Sequence, residues 1–224
     1  MTITDDLKRV PLFSDLSEVE LARFTEVARE REYPKNSVIL FEDDPGDALF
    51  IVSSGQVKVV LIGEDGREVI LSVLSDGDFF GEMSLIDDEP RSAHVIAMKD
   101  SRLLVLRRDD FHQQIQQLPS IALKVLKVLV GRLRRADAKI GGLVLLDVNG
   151  RVAKLLLDLA EEGGGPRITR KLTHHTIAQM IGSSRETVSR AMRELTDRGL
   201  IDVSRREITI KNRDGLATLA GDRP

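Results

Sequence analysis

Arg185, Glu186 and Arg190 crowd one short stretch, Ser183-Ser184-Arg185-Glu186-Thr187-Val188-Ser189-Arg190, and their side chains suit the edges of nucleic-acid bases. A guanidinium can fork onto guanine O6 and N7, and a carboxylate can accept from the cytosine N4 amino group in the major groove. Each good bidentate contact is worth about 1–3 kcal/mol of discrimination, while hydroxyls such as those of Ser184 and Thr187 are better suited to phosphate. Such contacts need a rigid support. Val188, Ala191, Met192 and Leu195 recur at helical spacing as a stripe to be buried, leaving Arg185, Glu186, Ser189, Arg190 and Arg193 on the other faces. The S-x-x-E spacing of Ser183 and Glu186 predicts a capping box at the helix start. Upstream, Leu172 to Ile181 reads as a short amphipathic helix, with Ile177, Met180 and Ile181 on one side and Gly182 ending it. Downstream, Ile201 to Ile210 alternates apolar and polar residues around a charged turn, the pattern of a β-hairpin. Together these elements predict a winged helix-turn-helix whose second helix enters the major groove of double-stranded DNA.

A second group of residues could hold an anion. In Phe79 to His94, Gly81 permits close backbone approach, and a short helix beginning near Glu82 would present free amides. Arg91 would supply charge in a geometry that matches phosphate, Ser92 a hydroxyl donor, and Glu82 an acceptor for a sugar hydroxyl. The plainer alternative is that Arg91 only balances Asp87, Asp88 and Glu89 on a solvated loop. Short apolar or alternating runs surround this loop: 38–41, 48–52, 57–62, 68–73, 93–97 and 103–106. Turn signals at 44–47, 54–55, 63–66 and 75–77 separate them, which predicts a β-barrel or jelly roll.

Residues 118–148 are long enough for an extended helix between these two halves. Leu126, Leu129, Leu133, Ala136, Ile140 and Leu143 recur at intervals of three and four, giving an apolar seam that would serve as a dimerisation face. A two-fold dimer suits a helix-turn-helix reader of paired half-sites.

Composition narrows the function class. A chain of 224 residues exceeds the usual single domain, so two are expected. Cysteine is absent, which excludes disulfides, thiolate zinc sites, Cys-ligated iron–sulfur clusters and a Cys nucleophile. The N-terminus lacks a basic leader followed by an apolar core, and no uncharged run would span a bilayer, so a cytoplasmic protein without a membrane partner is expected. Residues 149–224 carry 14 Lys and Arg against 10 Asp and Glu, a net of +4, which leaves −7 on the remainder of a chain of net charge −3. The basic excess falls on the segment that would read DNA. His174 and His175 are adjacent and would diverge by about 100° on a helix, so they cannot share a metal as an i, i+4 pair could. No Ser-His-Asp arrangement or Walker loop is identifiable, and neither catalysis, a metal nor a cofactor is expected.

Over essentially its whole length the chain resembles the CRP/FNR family of transcription regulators, within it most closely the cyclic AMP receptor branch. Three motifs in the family's order carry the resemblance. Phe80-Gly-Glu-Met-Ser-Leu85 with Pro90-Arg-Ser-Ala93 is similar to the phosphate-binding cassette of cyclic-nucleotide domains. Leu146-Asp-Val-Asn-Gly-Arg-Val-Ala153 is similar to the hinge, and Ser184-Arg-Glu-Thr-Val-Ser-Arg190 to the recognition helix. The implied fold is α+β: a cyclic-nucleotide-binding β jelly roll over 1–117, a dimerisation helix and hinge over 118–147, and a winged helix-turn-helix over 148–224.

Carried over by position, Gly81 and Ser92 would hold a cyclic phosphate, Arg91 would pair with its charge, and Glu82 would accept the ribose 2′-hydroxyl. Met83, Ser84 and Ala93 would complete the cassette, and Arg132 would approach from the long helix. Thr173, Ser184, Arg185, Glu186, Thr187, Ser189 and Arg190 would face DNA, with Arg185, Glu186 and Arg190 reading a TGTGA-like half-site of a palindrome. The resemblance also implies a homodimer whose DNA binding answers to an allosteric ligand, cyclic AMP, and a contact with RNA polymerase, for which the Gly63 to Glu68 turn is the candidate. One departure stands out. Where cyclic AMP receptors place a Thr-Ser or Thr-Asn pair against adenine, this chain has Ala136 and Asp137. Alanine offers no side-chain hydrogen bond, and an ionised Asp only accepts, from an adenine amino group or from the N1–H and N2–H₂ edge of guanine. Cyclic di-GMP, or no effector, therefore stands as an alternative, and a cyclic-nucleotide sensor acting on a protein partner is the alternative of another class. The iron–sulfur members are not matched, and His94 has little support as a haem ligand.

Overall fold

The computed structural model describes residues 3–168, 172–204 and 207–221, and residues 1–132 and 133–224 form two units. In the first, α1 (Ile3–Arg9), a 3-10 turn at Pro11–Phe13 and α2 (Glu18–Val27) precede β1 (Arg29–Tyr33), β2 (Val38–Leu40), β3 (Ala48–Ser54), β4 (Gln56–Ile62), β5 (Glu68–Ser75) and β6 (Phe79–Phe80). Next come α3 (Met83–Asp87), β7 (His94–Ala97), β8 (Ser101–Arg107), α4 (Arg108–Gln117) and the 27-residue α5 (Pro119–Leu145), which crosses the boundary between units. The strands form two antiparallel four-stranded sheets, in the orders β1-β8-β3-β6 and β2-β7-β4-β5.

Burial explains the two rhythms in the strand sequences. Phe50, Val52, Phe80, Leu103 and Val105 of one sheet meet Val57, Leu74 and Val95 of the other. The opposite face of the first sheet, with Leu49, Ile51, Leu104 and Leu106, is covered by Phe13, Phe24, Phe111, Ile121 and Val125 from the helices. β3 and β8 are therefore buried on both faces and read as continuous apolar runs, whereas β4 and β5 bury only Val57, Val60, Ile70 and Leu74, with a register shift at Val59/Val60 that breaks strict alternation. β1, Arg-Glu-Arg-Glu-Tyr, was not expected. It is an almost wholly exposed edge strand paired only to β8, so neither alternation nor apolarity marks it.

In the second unit, α6 (Val148–Glu162), β9 (Arg167–Ile168), α7 (His174–Ile181), α8 (Arg185–Asp197), β10 (Ile201–Ser204), β11 (Glu207–Ile210) and α9 (Arg213–Leu219) share one core. Val188, Ala191, Met192 and Leu195 are its α8 stripe, and on α7 the buried residues are Ile177, Ala178 and Ile181, with Met180 only half-buried. The wing is the β10–β11 hairpin, in register Ile201 to Ile210 and Val203 to Ile208, with β9 as a third strand. The charged turn expected between its strands, Arg205 and Arg206, lies outside the described residues. Asp147 caps α6 by accepting from Gly150 N at 2.8 Å, and a Cβ at Gly150 would stand 2.6 Å from the Leu219 carbonyl oxygen. The hinge motif thus packs helix against chain too closely for any side chain at that point.

Along α5, Leu126, Leu133, Ile140 and Leu143 each expose more than half of their surface, and Ala136 is exposed; Leu129 is partly covered by the core of the first unit. No described helix is long and apolar enough to cross a membrane.

Candidate functional site

The loop between β6 and β7 is built around a buried cation. Arg91 is 3% exposed and Glu82 2% exposed, so the solvated-loop alternative does not hold: of the neighbouring acids, Asp88 pairs with Arg108 instead. Arg91 Nη1 donates to the Gly81 carbonyl and Nη2 to the Ala48 carbonyl, both at 2.8 Å. Its guanidinium also lies over the Phe50 ring at 5.9 Å, and Phe50 stacks on Phe80 across the β3–β6 pair. The nearest carboxylate is Asp47 Oδ1 at 3.7 Å, on a side chain open to solvent. Burial, opposed by Asp47 and reinforced by Arg108, holds the Arg91 guanidinium below its ordinary pKa. This cation is poorly compensated, and its Nε has no hydrogen-bond partner. An anion placed here would supply both what the charge lacks and what the Nε lacks.

Glu82 holds a complementary orphan. Oε1 accepts from Arg132 Nη1 at 2.6 Å, while Oε2 is buried without a partner, ready for a hydroxyl. Arg132 also donates to the Phe79 carbonyl and stacks 5.1 Å from the Phe79 ring centroid. Gly81 has φ +83°, and a Cβ there would stand 2.7 Å from Arg91 Nη1 and 3.0 Å from the Ala48 carbonyl oxygen. Only glycine leaves room for the buried guanidinium. Ser84 and Ala93 are buried beside this cradle, while Ser92 and Met83 are exposed, the Ser92 hydroxyl lying 3.7 Å from the Met83 sulfur. The structure therefore brings together Gly81, Glu82, Met83, Ser84, Arg91, Ser92, Ala93 and Arg132. Ala136 and Asp137 are exposed residues of α5 that belong to the second unit. An orphaned donor, an orphaned acceptor and a side-chain-free backbone bend fit a ligand that joins an anionic group to a hydroxyl.

Three contributors were missed. Gly46 reads in the sequence only as part of a turn, yet a Cβ there would lie 2.1 Å from Ser84 Cβ and 3.3 Å from Arg91 Cζ. Phe50 reads as part of an apolar strand, and Arg108 as an ordinary charged residue. The sequence signal at Gly46 was present in Asp44-Pro-Gly-Asp47; Arg108 gave none.

In the second unit, α7 and α8 are joined by Gly182, at φ +64°, with Ser183 and Ser184. The capping box expected from Ser183 and Glu186 is not formed. Gly182 and Ser183 both send their amides back to the Ala178 carbonyl, which keeps Ser183 in the end of α7. Ser184 is the N-cap: its hydroxyl accepts from Thr187 N at 3.1 Å and lies 2.8 Å from Thr187 Oγ1. Thr173 caps α7 the same way, accepting from Thr176 N at 3.0 Å. Thr173, His174, His175 and Arg185 line one cleft, so the starts of the two helices open on the same surface. Arg185, Glu186 and Arg190 are exposed on α8, and Arg190 Nη2 lies 3.4 Å from Thr187 Oγ1. Ser184→Ala should cost the second unit about 1 kcal/mol, read as a lower thermal midpoint, with Ser183→Ala near neutral; the reverse order would restore Ser183 as the cap.

Sequence comparison agrees with both halves. Residues 30–118 match the cyclic nucleotide-binding domain model and residues 150–219 the Crp-like helix-turn-helix domain model. The chain is 36% identical over 219 residues, 96% of its length and 98% of the relative's, to the CRP-like cAMP-activated global transcriptional regulator of Mycobacterium tuberculosis. It is 37% identical over 195 residues, 87% and 89% of the two chains, to the cyclic AMP receptor protein of Thermus thermophilus. Among solved structures, the c-di-GMP responsive global regulator CLP of Xanthomonas campestris aligns with a TM-score of 0.74 at 25% identity, covering 87% of this chain and 99% of that one. A cyclic nucleotide-binding domain followed by a Crp-like helix-turn-helix, in a chain whose relatives are transcriptional regulators, defines a transcription regulator rather than an enzyme. The chain belongs to the CRP/FNR family of transcription regulators.

Proposed function

We propose that this protein is a dimeric, sequence-specific DNA-binding regulator whose affinity for DNA is set by cyclic AMP bound in the β-roll. The observation that carries the reading is the pair of buried orphans, Arg91 Nε and Glu82 Oε2, in the cassette. In this reading Arg91, Gly81 and Ser92 hold the cyclic phosphate, Glu82 takes the ribose 2′-hydroxyl, and Met83, Ser84 and Ala93 shape the cradle. Residues 1–117 are the effector domain, 118–147 the dimerisation helix and hinge, and 148–224 the DNA-binding domain. The exposed α5 seam supports a homodimer, and the cyclic AMP-linked names of its relatives support the effector. Thr173, Ser184, Thr187 and Ser189 position the backbone of a palindromic TGTGA-like site, while Arg185, Glu186 and Arg190 read its bases. RNA polymerase is the expected partner at the promoter, and DNA as the binding partner fits a cytoplasmic protein.

Ligand and DNA are linked by a coupling free energy, so each must raise the other's affinity by the same factor. The test is retention of a duplex carrying a palindromic TGTGA-type site against a scrambled one, across a salt series with cyclic AMP present. Preference for the palindrome at every salt concentration is expected; equal retention that falls only with salt would leave a non-specific DNA binder.

A second effector reading rests on Ala136 and Asp137. An acceptor-only carboxylate suits the donor edge of a guanine base, and the Xanthomonas campestris regulator described as c-di-GMP responsive shares the fold. Duplex retention with cyclic di-GMP in place of cyclic AMP separates the two.

A further inference from the structure

Arg108, the first residue of α4, contributes more to the anion cradle than its place outside the cassette suggests. Its Nη2 donates to the Gly46 carbonyl at 2.5 Å and to the Ser84 carbonyl at 2.7 Å, and its Nη1 pairs with the Asp88 carboxylate. Its backbone amide donates to the Asp47 carbonyl at 2.8 Å. Asp88 is held in the left-handed region at φ 60°, at the end of α3. One guanidinium thus ties together the 44–47 turn, the body of α3 and the residue that ends it. These segments are the walls between which Arg91 is packed: Asp44 accepts from the Arg91 amide at 2.9 Å, and Gly46 and Ser84 leave no space for an added Cβ. Four residues along α4, His112 Nε2 lies 2.6 Å from the Leu85 carbonyl oxygen, a second polar tie from α4 to α3.

We propose that Arg108 is a positioning residue of the effector site, fixing the gap between the 44–47 turn and α3 and so the place at which the Arg91 guanidinium meets an anion. The inference rests on the reading of Arg91 as the phosphate-binding residue. Arg108 does not touch the ligand; it sets the separation of two backbone segments that would otherwise drift apart, because Nη2 donates to both carbonyls at once while Nη1 of the same rigid guanidinium is held by Asp88. A cation of this kind adds a cost as well, since like charges repel: Arg108 disfavours the charged form of Arg91, and an anion bound between the walls relieves that repulsion.

The test uses the full-length protein, titrated calorimetrically with cyclic AMP and with the two diastereomeric phosphorothioate analogues of cyclic AMP. These analogues differ only in which exocyclic oxygen is sulfur, so the ratio of their affinities reports where the guanidinium stands relative to the phosphate. Arg108→Gln should weaken cyclic AMP about tenfold and change the diastereomer ratio at least about threefold. Asp88→Asn, on an exposed side chain, loosens the clamp without removing the guanidinium and should move both readouts the same way by a smaller factor. Wild-type affinities in both variants would overturn the proposal. Equal weakening of all three ligands at an unchanged ratio would also overturn it, since that is the mark of a generally destabilised domain. A wild-type protein that binds none of the three would overturn the effector reading itself, and that outcome is recognised before any variant is compared.

Discussion

Arg91→Leu is expected to abolish the response to effector while leaving basal DNA binding in place. Arg91 is the buried cation of the cassette, already desolvated, and donates to the Gly81 and Ala48 carbonyls. Removing one side of a buried, hydrogen-bonded charge pair costs about 2–5 kcal/mol, or about 30- to 5,000-fold in ligand affinity. The two carbonyls also lose their donor, so the first unit should melt earlier, by the cost of leaving buried acceptors unmet, about 1–3 kcal/mol each. Arg91→Lys separates these effects. It keeps the positive charge, but one ammonium cannot fork to two carbonyls and a phosphate together, so an intermediate affinity is expected. The measurement is fluorescence anisotropy of a labelled palindromic duplex with and without cyclic AMP, beside a thermal melt of each variant. Undiminished stimulation in Arg91→Leu would remove Arg91 from the phosphate site.

The second large effect belongs to the recognition helix. Arg185→Ala should lower the ratio of affinities for a TGTGA-type site over a single-base variant by about 5- to 150-fold, the worth of one bidentate base contact. Arg185 is the first residue of α8, exposed and bordering the cleft with Thr173, His174 and His175, so its removal leaves the core stripe untouched. The slope of log affinity against log salt should change by less than about one, since a phosphate contact, and not a base contact, carries that slope. A uniform loss over all sequences with a flatter salt slope would instead make Arg185 a backbone contact.

What the sequence made legible follows the physics of each element. The α8 stripe could be read because only one side of that helix is covered, so helical periodicity survives in the residue types. The wing alternates for the same reason on a period of two. The capping box was misplaced because S-x-x-E is a local signal, whereas the start of α8 is decided by how α7 ends: the left-handed Gly182 turns the Ser183 amide back to the Ala178 carbonyl and leaves the cap to Ser184. A capping box does occur in the chain, at Ser17 and Glu20 before α2. β1 was invisible because an exposed edge strand needs no apolar face, and its fold information resides in the β8 backbone to which it pairs. In the cassette, residue types gave Arg91 and Glu82 as candidates, but their burial depends on β3, β6 and the 44–47 turn, which meet only in three dimensions. Gly46 and Arg108 were missed because what they meet lies far along the chain: the Ser84 and Arg91 side chains for Gly46, and the Gly46 and Ser84 carbonyls for Arg108.

Nucleotide in the β-roll and DNA on the recognition helices are expected to act on one another, and this linkage underlies the proposed regulation. Calorimetric titration of the protein with cyclic AMP, cyclic GMP and cyclic di-GMP, with and without the palindromic duplex, addresses it directly. Cyclic AMP should bind in both cases and more tightly with DNA, by the same factor by which it raises DNA affinity, about 5- to 150-fold for an ordinary coupling of about 1–3 kcal/mol. Cyclic AMP affinity that is identical with and without the duplex, or no cyclic AMP binding by a protein that still selects the palindrome, would contradict it.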